Sequence, residues 1–571
     1  MFTPNMTGHE TDAMNDDSVL LRMLGTHPVD NHVMTGNPDR EPDEPSEIST
    51  NRESLIPTAG LDGVPAALRV EVEASTTPMS ESAPRGGKKP TPPTAAQLIQ
   101  LVSKQYRFVK DTLNGGLYAV RDGVATRIRE KAFGARMSRM AMEAFGAPAD
   151  RQTKNAVVDY FEDVAGDAIE DVHMRVAEAS DGSVWIDNIG PEGLQVRITG
   201  EGYKLHKPGE VKEAPLFHRP AYMKPLPVPE NGGHPGMLWQ VVNVSDLGQQ
   251  GLAIAWLVYS LITETRSFPI CLLEAENGSA KTTASRIMLD LIDPSSIAAS
   301  GLPGGTRDLA VMSGNVHVLR FDNISTMTYD WQDKFCRIST GDAFTTRELY
   351  SDRDLTVFTI KCPVIMTTIS TWDTRPDFGQ RVLKITLPRI EAERRLRESE
   401  VEDRWNEVRG RVFGALLDLA VRVKQIVGTV DSGARYTPDL PRMADFGMVL
   451  AAIDEIYPQC HCMDAYRAQQ LQLVHDEAEE EPLLVAMENA LCFDRGTWTG
   501  TSRELLNALE FQLEQAKART WKSAPVSPRD VTRVLDRYAQ VLRAKGWTIE
   551  HSLGTGNDSG SRVWTIKRPG E

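Results

Sequence analysis

A polar loop between an apolar segment and an amphipathic segment constrains the fold of this chain more than any other feature. The apolar run Phe268–Leu273 predicts a β-strand, and the run Ala284–Ile292, which ends at Asp293-Pro294, predicts a helix. The loop between them reads Glu274-Ala275-Glu276-Asn277-Gly278-Ser279-Ala280-Lys281-Thr282-Thr283. A strand, a loop that ends in Lys-Thr and a helix form the context of a phosphate-binding P-loop.

This loop predicts binding of ATP and Mg²⁺. Backbone N–H groups would hold phosphate oxygens, Lys281 would reach the β- and γ-phosphates, and Thr282 would bind Mg²⁺. The predicted cofactor-binding residues are Asn277, Gly278, Ser279, Ala280, Lys281, Thr282 and Thr283. The motif G-x-x-x-x-G-K-[ST] has glycine where this chain has Ala275 and Ala280, and alanine is acceptable at 280 if its φ is negative. The alternative is a polar turn with an incidental Lys-Thr pair.

A second short apolar run, Val316–Phe321, begins 35 residues after Lys281 and ends at Asp322. This spacing is reasonable for a Walker B strand, whose aspartate binds Mg²⁺ through water, so Thr282 and Asp322 are the predicted metal ligands. Asn323 occupies the position where a carboxylate often activates the attacking water. Either the base lies elsewhere or Asn323 only orients the water. The alternative is a buried strand that ends at an exposed aspartate.

A hairpin and one more strand are predicted after these motifs. The segment Thr340–Tyr350, a polar tip at Ser351–Asp354 and the run Leu355–Ile360 favour two paired strands. The apolar run Val364–Met366 predicts a further strand, which ends at Thr367.

In this order, the P-loop, the strand that ends in aspartate, the G-D-x-F-x-x-R hairpin and the apolar strand resemble the motifs of superfamily 3 helicases. The likeness is to ATPases of actinobacterial phages and integrated elements, often labelled helicase or primase-helicase, and it covers residues 238–455. It implies an ATP-dependent helicase that assembles as a homo-oligomeric ring, with a hexamer expected, on single-stranded or forked DNA. It also takes in three shorter segments: Arg375–Arg381, Leu387–Ile390 and Leu440–Phe446.

The resemblance assigns roles to individual residues. Arg353 at the hairpin tip, with Arg347 beside it, would contact DNA in a central pore. Arg381 would act as an arginine finger on the nucleotide of a neighbouring subunit, with Arg375 as the second choice. A solvated turn and a surface salt bridge are the alternatives for Arg353 and Arg381. Thr367 stands where the family usually has a sensor asparagine, and the implied catalytic residues are Lys281, Asp322, Asn323, Thr367 and Arg381.

The sequence predicts five segments. They are an acidic tail and linker (1–93), an α+β accessory domain (94–230), an AAA+-like α/β P-loop ATPase core (231–430), a helical extension (431–482) and a C-terminal winged-helix domain (483–571). Within the accessory domain, the sequence predicts a hairpin around Asp122-Gly123 and a strand at Val172–Ala177. Residues 1–90 contain 15 acidic and 7 basic side chains, so their net charge of −8 is half of the formal charge of −16. That charge argues against indiscriminate nucleic-acid binding by the whole surface.

The last segment reads as three helices and a hairpin. The helices are predicted at Leu483–Leu491, Thr501–Leu513 and Val531–Lys545, with Ser527 as the N-cap and Pro528 at the first position of the third. This is a winged-helix order, and Arg533 and Arg537 on the third helix are predicted to bind DNA. The alternative is a winged helix used for protein contacts.

Other features exclude function classes. No secretory signal is present at the start, and the apolar run Leu252–Ile262 is too short to span a bilayer, so a cytoplasmic protein is expected. This apolar run is predicted to be a buried helix. Residues 94–230 contain no carboxylate pair or zinc module that would support a primase activity, although a primase or another replication protein is a possible partner. Two rival functions stay open: an ATP-switched DNA-binding initiator or loader ring, and a non-enzymatic DNA-binding repressor or scaffold.

Overall fold

The computed structural model has a mixed α/β fold. It describes residues 91–112, 115–164, 168–276, 278–347, 355–369, 374–431, 440–479, 481–490, 497–520, 524–554 and 561–569. Asn277, Arg353 and the acidic residues 1–90 lie outside the described residues.

The accessory region contains two sheets and three helices. The helices are α1 (Ala95–Ser103), α2 (Lys131–Phe145) and α3 (Arg151–Val164). One sheet has the strand order β4-β1-β2-β3-β10-β5, and the other, antiparallel throughout, has the order β6-β7-β8-β9. The strands are β1 (Arg107–Asp111), β2 (Leu117–Arg121), β3 (Val124–Arg127), β4 (Ile169–Glu170), β5 (Val172–His173), β6 (Val176–Glu178), β7 (Val184–Ile189), β8 (Leu194–Ile198), β9 (Tyr203–His206) and β10 (Leu216–His218).

The hairpin predicted around Asp122-Gly123 is confirmed as β2 and β3. Both turn residues have positive φ, 51° and 73°, as a two-residue hairpin turn of type I′ requires. In addition, Thr94 caps α1 with a capping box. The single strand predicted at Val172–Ala177 is wrong. It is interrupted at Met174 and Arg175, and the Arg175 side chain pairs with the buried carboxylate of Asp293.

The central sheet is parallel, with the strand order β12-β15-β11-β16. Its strands are β11 (Ile270–Ala275), β12 (Leu319–Phe321), β15 (Val364–Thr368) and β16 (Val382–Leu387). Alternate residues of β11 enter two different hydrophobic clusters, so both faces of the sheet are buried, as is usual for parallel sheets. The predicted hairpin is confirmed as the antiparallel pair β13 (Ala343–Arg347) and β14 (Leu355–Thr359).

Helices cover this sheet. The long apolar run predicted as a buried helix is α4 (Leu247–Ile262), whose residues from Gly251 to Leu261 are all buried. Among the described residues, no helix is long and apolar enough to cross a membrane. The remaining helices of this part are α5 (Lys281–Asp290), α6 (Thr306–Ser313), α7 (Tyr329–Thr340), α8 (Pro376–Gly379), α9 (Glu398–Asp431), α10 (Ala444–Ile456) and α11 (Cys462–Glu479), with short 3₁₀ turns at Pro235–Gln240, Ala392–Arg394 and Pro458–Cys460.

The C-terminal residues form a separate hydrophobic cluster. Its elements are α12 (Pro482–Glu488), β17 (Trp498–Thr501), α13 (Ser502–Ala508), α14 (Glu510–Thr520), α15 (Pro528–Ala544), β18 (Thr548–Leu553) and β19 (Arg562–Lys567). The single helix predicted at Thr501–Leu513 is wrong, because the chain breaks at Leu509 into α13 and α14. Strand β17 was not predicted; it pairs with β19 and completes a three-stranded antiparallel sheet of order β17-β19-β18.

The accessory region and the central sheet share buried structure. Strands β6, β7 and β8 contribute to the same hydrophobic cluster as α4, α9 and α10, so the boundary predicted at residue 230 runs through a common core. A buried ion pair also joins these two regions. Arg175, 0% exposed, donates to Asp293 Oδ1 at 3.0 Å, and Asp293 Oδ2 accepts the backbone N–H groups of His317 and Val318 at 2.7 and 3.0 Å.

We predict that Arg175→Met lowers the free energy of unfolding by about 3–5 kcal/mol, because it leaves the Asp293 carboxylate buried without its cation. Chemical denaturation followed by tryptophan fluorescence measures this change. The double variant Arg175→Met/Asp293→Asn removes the charge as well and should recover part of the loss. A single variant as stable as the parent would show that the pair does not join the two regions.

Candidate nucleotide-binding site

The four parallel strands bring the predicted motifs to one edge of the sheet. Residues Ile270–Glu274 of β11 pair with Val364–Thr368, and Leu319–Phe321 pair with Val364–Met366. The residues that follow β11, β12 and the middle of β15 therefore lie together at the carboxyl ends of the strands. In open α/β sheets, this is the edge where ligands bind.

The loop after β11 is a tight turn with two residues in the left-handed region, Gly278 and Ala280. Gly278 has a φ of 85°, and Ser279 is buried, with its hydroxyl donating to the carbonyl oxygen of Glu276 at 2.8 Å. The negative φ that would make alanine acceptable at position 280 is not observed. Ala280 has a φ of 60° and a ψ of 32°, which is the left-handed region, and it is the N-cap of α5. The constraint comes from the tertiary position of the loop between β11 and α5, and for alanine it costs about 1–2 kcal/mol.

Three predicted residues meet behind the loop. Thr282 Oγ1 donates to Asp322 Oδ1 and Oδ2 at 3.2 and 2.9 Å, and the fully buried Thr367 hydroxyl donates to Asp322 Oδ1. Thr367 Oγ1 in turn accepts the backbone N–H of Asn323 at 2.8 Å. Asn323 has a φ of 55°, a conformation that asparagine tolerates better than most residues, and its side chain is exposed. The Asp322 carboxylate is thus oriented by Thr282 at the start of α5 and by Thr367 of the neighbouring strand β15.

Arg320 joins the P-loop helix to the strand that carries Asp322. Its guanidinium donates to Ser285 Oγ at 3.2 Å and to the carbonyl oxygen of Thr282 at 3.0 Å. Burial lowers the pKa of Arg320, and the nearby Asp322 carboxylate opposes that effect. An arginine that interrupts an apolar strand is explained by this contact, because it fixes the helix that follows the P-loop against β12.

Two cations lie at the loop. Lys281 begins α5, and its side chain has no hydrogen-bond or ion-pair partner among the described residues. Arg395 was missed by sequence reasoning. A Cβ built on Gly278 would lie 3.3 Å from a guanidinium nitrogen of Arg395, which is exposed and donates to the carbonyl oxygen of Ile390 at 3.2 Å. Nothing in the run around Arg395 marks it, because its position over the loop depends on the fold.

Arg381 and Arg375 are both engaged in ion pairs. Arg381 is 13% exposed and pairs with Asp377 at 2.6 Å, which also accepts from Arg442 at 2.6 Å. Burial alone would raise the pKa of Asp377, but the hydrogen bonds from the two arginines outweigh it and lower the pKa to about 2. Arg375 contacts both oxygens of Asp333 at 2.7 and 2.8 Å. A finger role for Arg381 would require it to leave Asp377.

The residues predicted to bind DNA lie on two separate elements. Arg347 is the last residue of β13, and the hairpin tip that follows it, with Arg353, is outside the described residues. Helix α15 begins as predicted, with Ser527 as its N-cap and Pro528 at its first position. Arg533 and Arg537 are exposed on the side opposite its buried apolar residues; Arg533 pairs with Asp530 at 2.9 Å, and the Arg537 guanidinium lies 5.1 Å from the Tyr538 ring centre.

Comparison with known families agrees with this arrangement. Residues 236–476 match the family described as the actinomycete integrative conjugative element replication protein, and residues 482–571 match the AICE RepA C-terminal domain. These two segments are therefore those of a replication protein of mobile elements. The matched ranges include the loop after β11, Asp322, the hairpin and the C-terminal cluster, and they start after the accessory region.

Solved structures give weaker likenesses. The A-form apo structure of the NrS-1 C-terminal region aligns with 82% of this chain and 99% of its own, at 10% identity and a TM-score of 0.36. A second apo structure of that region aligns with 83% and 98%, at 11% identity and a TM-score of 0.35. At these values the likeness carries no argument about this chain. A comparison with curated proteins finds no match.

The left-handed conformation of Ala280 leads to a stability prediction. Ala280→Gly should raise the free energy of unfolding by about 0.5–1 kcal/mol, because it removes the steric cost while adding some unfolded-chain entropy. The control, Ala135→Gly in the exposed middle of α2, should lower it by about 1 kcal/mol. Thermal unfolding of both variants checks this. Changes of the same sign would mean that the loop is not held in the left-handed region.

Proposed function

We propose that this replication protein is an ATP hydrolase that uses hydrolysis to move along DNA. One observation carries the proposal. At the carboxyl edge of the parallel sheet, Asp322 accepts hydrogen bonds from both Thr282 and Thr367. The loop beside them has a positive φ at Gly278 and ends at Lys281, the first residue of α5. No other feature of the described residues explains why a buried threonine should orient an aspartate beside the start of a helix.

The residues at the loop suit a nucleoside triphosphate. Backbone N–H groups at the start of α5 would bind phosphate oxygens, and the helix dipole adds to their attraction. Lys281 would neutralise the β- and γ-phosphates, and Arg395, which overlies Gly278, would add a second positive charge from the same chain. The described residues contain no group of three or more His, Cys, Asp or Glu side chains that could hold a metal ion. Mg²⁺ would bind Thr282 and Asp322 together with the phosphates of the nucleotide.

Hydrolysis would transfer the γ-phosphoryl group to water. The water oxygen forms a bond to phosphorus as the bond to the ADP oxygen breaks, and positioning and charge stabilisation supply most of the catalysis. The exposed amide of Asn323 would orient the water rather than deprotonate it. Thr367 acts as a positioning residue, because its hydroxyl holds Asp322 and the backbone of Asn323 in one arrangement.

DNA would contact the hairpin and the C-terminal cluster. The β13–β14 hairpin extends from the edge of the ATPase core, so a nucleotide-driven rotation of the core would move its tip and Arg353. In the C-terminal cluster, helices are followed by the β18–β19 hairpin, which supports the predicted winged helix, and Arg529, Arg533 and Arg537 are spaced four residues apart on one stripe of α15. We propose that α15 binds duplex or forked DNA while a homo-oligomeric ring, expected to be a hexamer, holds one strand.

One observation favours a second candidate, an ATP-switched initiator or loader ring. The residue after Asp322 is an amide and not a carboxylate, and its backbone is fixed by Thr367. Such a site can bind ATP and respond to it while turning over slowly. The two candidate functions share one fold and differ in the rate of ATP hydrolysis.

ATP hydrolysis by the purified chain, with and without single-stranded DNA, tests the proposal. We expect DNA-stimulated release of phosphate that falls at least about 100-fold in Lys281→Ala, because the main γ-phosphate charge is lost. Lys110→Ala, which removes an exposed lysine of the accessory region, is the matched control and should keep the parent rate. ATP binding without turnover in the parent protein would favour the switch, and no ATP binding would leave only a non-enzymatic DNA-binding role.

The role of α15 is tested by the salt dependence of duplex binding. Arg533→Ala and Arg537→Ala should each weaken binding and reduce the slope of log K against log salt by about 0.9, the value for one phosphate contact. Fluorescence anisotropy with a labelled duplex over a salt series measures the slope. Arg151→Ala on α3 removes an exposed arginine elsewhere and should leave it unchanged. Unchanged slopes for both α15 variants would assign this helix to protein contacts.

A further inference from the structure

A cavity of about 510 Å³ opens in the accessory region, away from the candidate nucleotide site. Strands β1 and β2 form one side, and the segment 209–216 that leads into β10 forms another. Its volume is that of a small-molecule site. The charged residues of its lining are Lys104, Arg107, Arg121, Lys212 and Asp122.

The charge of this lining is opposite to that of the whole chain. Four cations face one carboxylate in a protein whose formal charge is −16. Lys104 and Lys212 are exposed and have no hydrogen-bond or ion-pair partner within the part of the chain that the structure describes. Arg107 and Arg121 are about half exposed and are held by Glu170 and Asp122. Two unpaired lysines beside two arginines that are already paired leave the concave surface with an excess of positive charge, which attracts anions.

The cavity is a built feature and not a loose gap between loops. Gly123 and Gly209 bring two turns into backbone contact, since a Cβ on Gly123 would lie only 2.3 Å from the Gly209 nitrogen. Both glycines have positive φ, 73° and 76°. Arg121 is oriented by Gln105, whose Oε1 accepts from it at 2.8 Å, and by the ring of Tyr106 below it. The guanidinium is therefore placed before any ligand arrives.

The wall of the cavity also contains a buried polar atom with no partner. Gln195 is 1% exposed, and its Oε1 has no hydrogen-bond partner among the described residues. Its amide nitrogen donates to Asp187 at 3.0 Å, and Asp187 is itself held by Arg219 at 2.6 and 2.7 Å. The orientation of the amide is thus fixed, and Oε1 is an unused acceptor. A ligand that carries both negative charge and an N–H or O–H group matches this lining.

We propose that this cavity is a second binding site for nucleotide phosphates, in which Lys104, Lys212 and Arg121 hold the phosphates and Gln195 accepts a hydrogen bond from the base or sugar. The phosphates come either from the backbone of single-stranded DNA or from a free nucleoside triphosphate. The site does not involve Lys281, Thr282 or Asp322, so it stands or falls independently of the proposed ATP hydrolysis.

The test uses the full chain with Lys281→Ala in every sample. Any binding at the loop after β11 is then the same in all variants. Lys104→Ala/Lys212→Ala is compared with Lys131→Ala/Lys204→Ala, which removes two exposed lysines of the same region outside the cavity. A labelled oligo(dT) and a fluorescent ATP analogue are titrated in separate series at several salt concentrations. Circular dichroism spectra confirm that both double variants fold.

If DNA is the source of the phosphates, the cavity variant reduces the slope of log K against log salt for oligo(dT) by about 1.4, the value for two contacts to a single strand. If a free nucleotide is the source, the analogue binds the Lys281→Ala protein and its affinity falls at least tenfold in the cavity variant. Either result supports the site, provided that the control variant matches Lys281→Ala alone. Equal binding of both probes by the two double variants would overturn the proposal.

Discussion

The carboxylate of Asp293 is the contact on which the relative positions of the main parts depend. It follows the P-loop helix α5, it accepts two backbone N–H groups at the start of the segment that leads to Asp322, and it pairs with Arg175 of the accessory region. All of these groups are buried, so none can exchange its partner for water without a large cost. Asp293 therefore holds three parts of the chain together: the end of α5, the segment that leads into β12 and the accessory region.

This arrangement explains how a site with unusual residues can keep its geometry. Ala280 and Asn323 both occupy the left-handed region, one at the start of α5 and one after β12. Each is held by tertiary contacts, since α5 is fixed to β12 through Arg320 and Asn323 is fixed to β15 through Thr367. The backbone of the site is thus determined by the sheet, and the residue types at positions 280 and 323 affect the cost and the chemistry more than the shape.

The elements of the site were predictable because their signals are local. An apolar run, a turn with Gly278 and Lys281, and a helix start can be recognised from neighbouring residues, and the β13–β14 hairpin and the cap at Ser527 were predicted for the same reason. What depends on distant contacts was not predictable. The positive φ of Ala280, the position of Arg395 over Gly278, the interruption at Arg175 and the third strand β17 all follow from residues more than a hundred positions away or from packing between elements.

The ion pairs around Asp377 restrict the arginine-finger role predicted for Arg381. Arg381 and Arg442 both donate to this carboxylate, and their hydrogen bonds, which outweigh burial, lower its pKa to about 2, so it is charged at any physiological pH. Arg375 is held by Asp333 in the same way. An arginine that reaches a neighbour's nucleotide from this surface must exchange one carboxylate for another anion. The γ-phosphate carries more charge than a carboxylate, so in the proposed ring such an exchange would be more favourable with ATP than with ADP, and Arg381 would then respond to the state of the nucleotide.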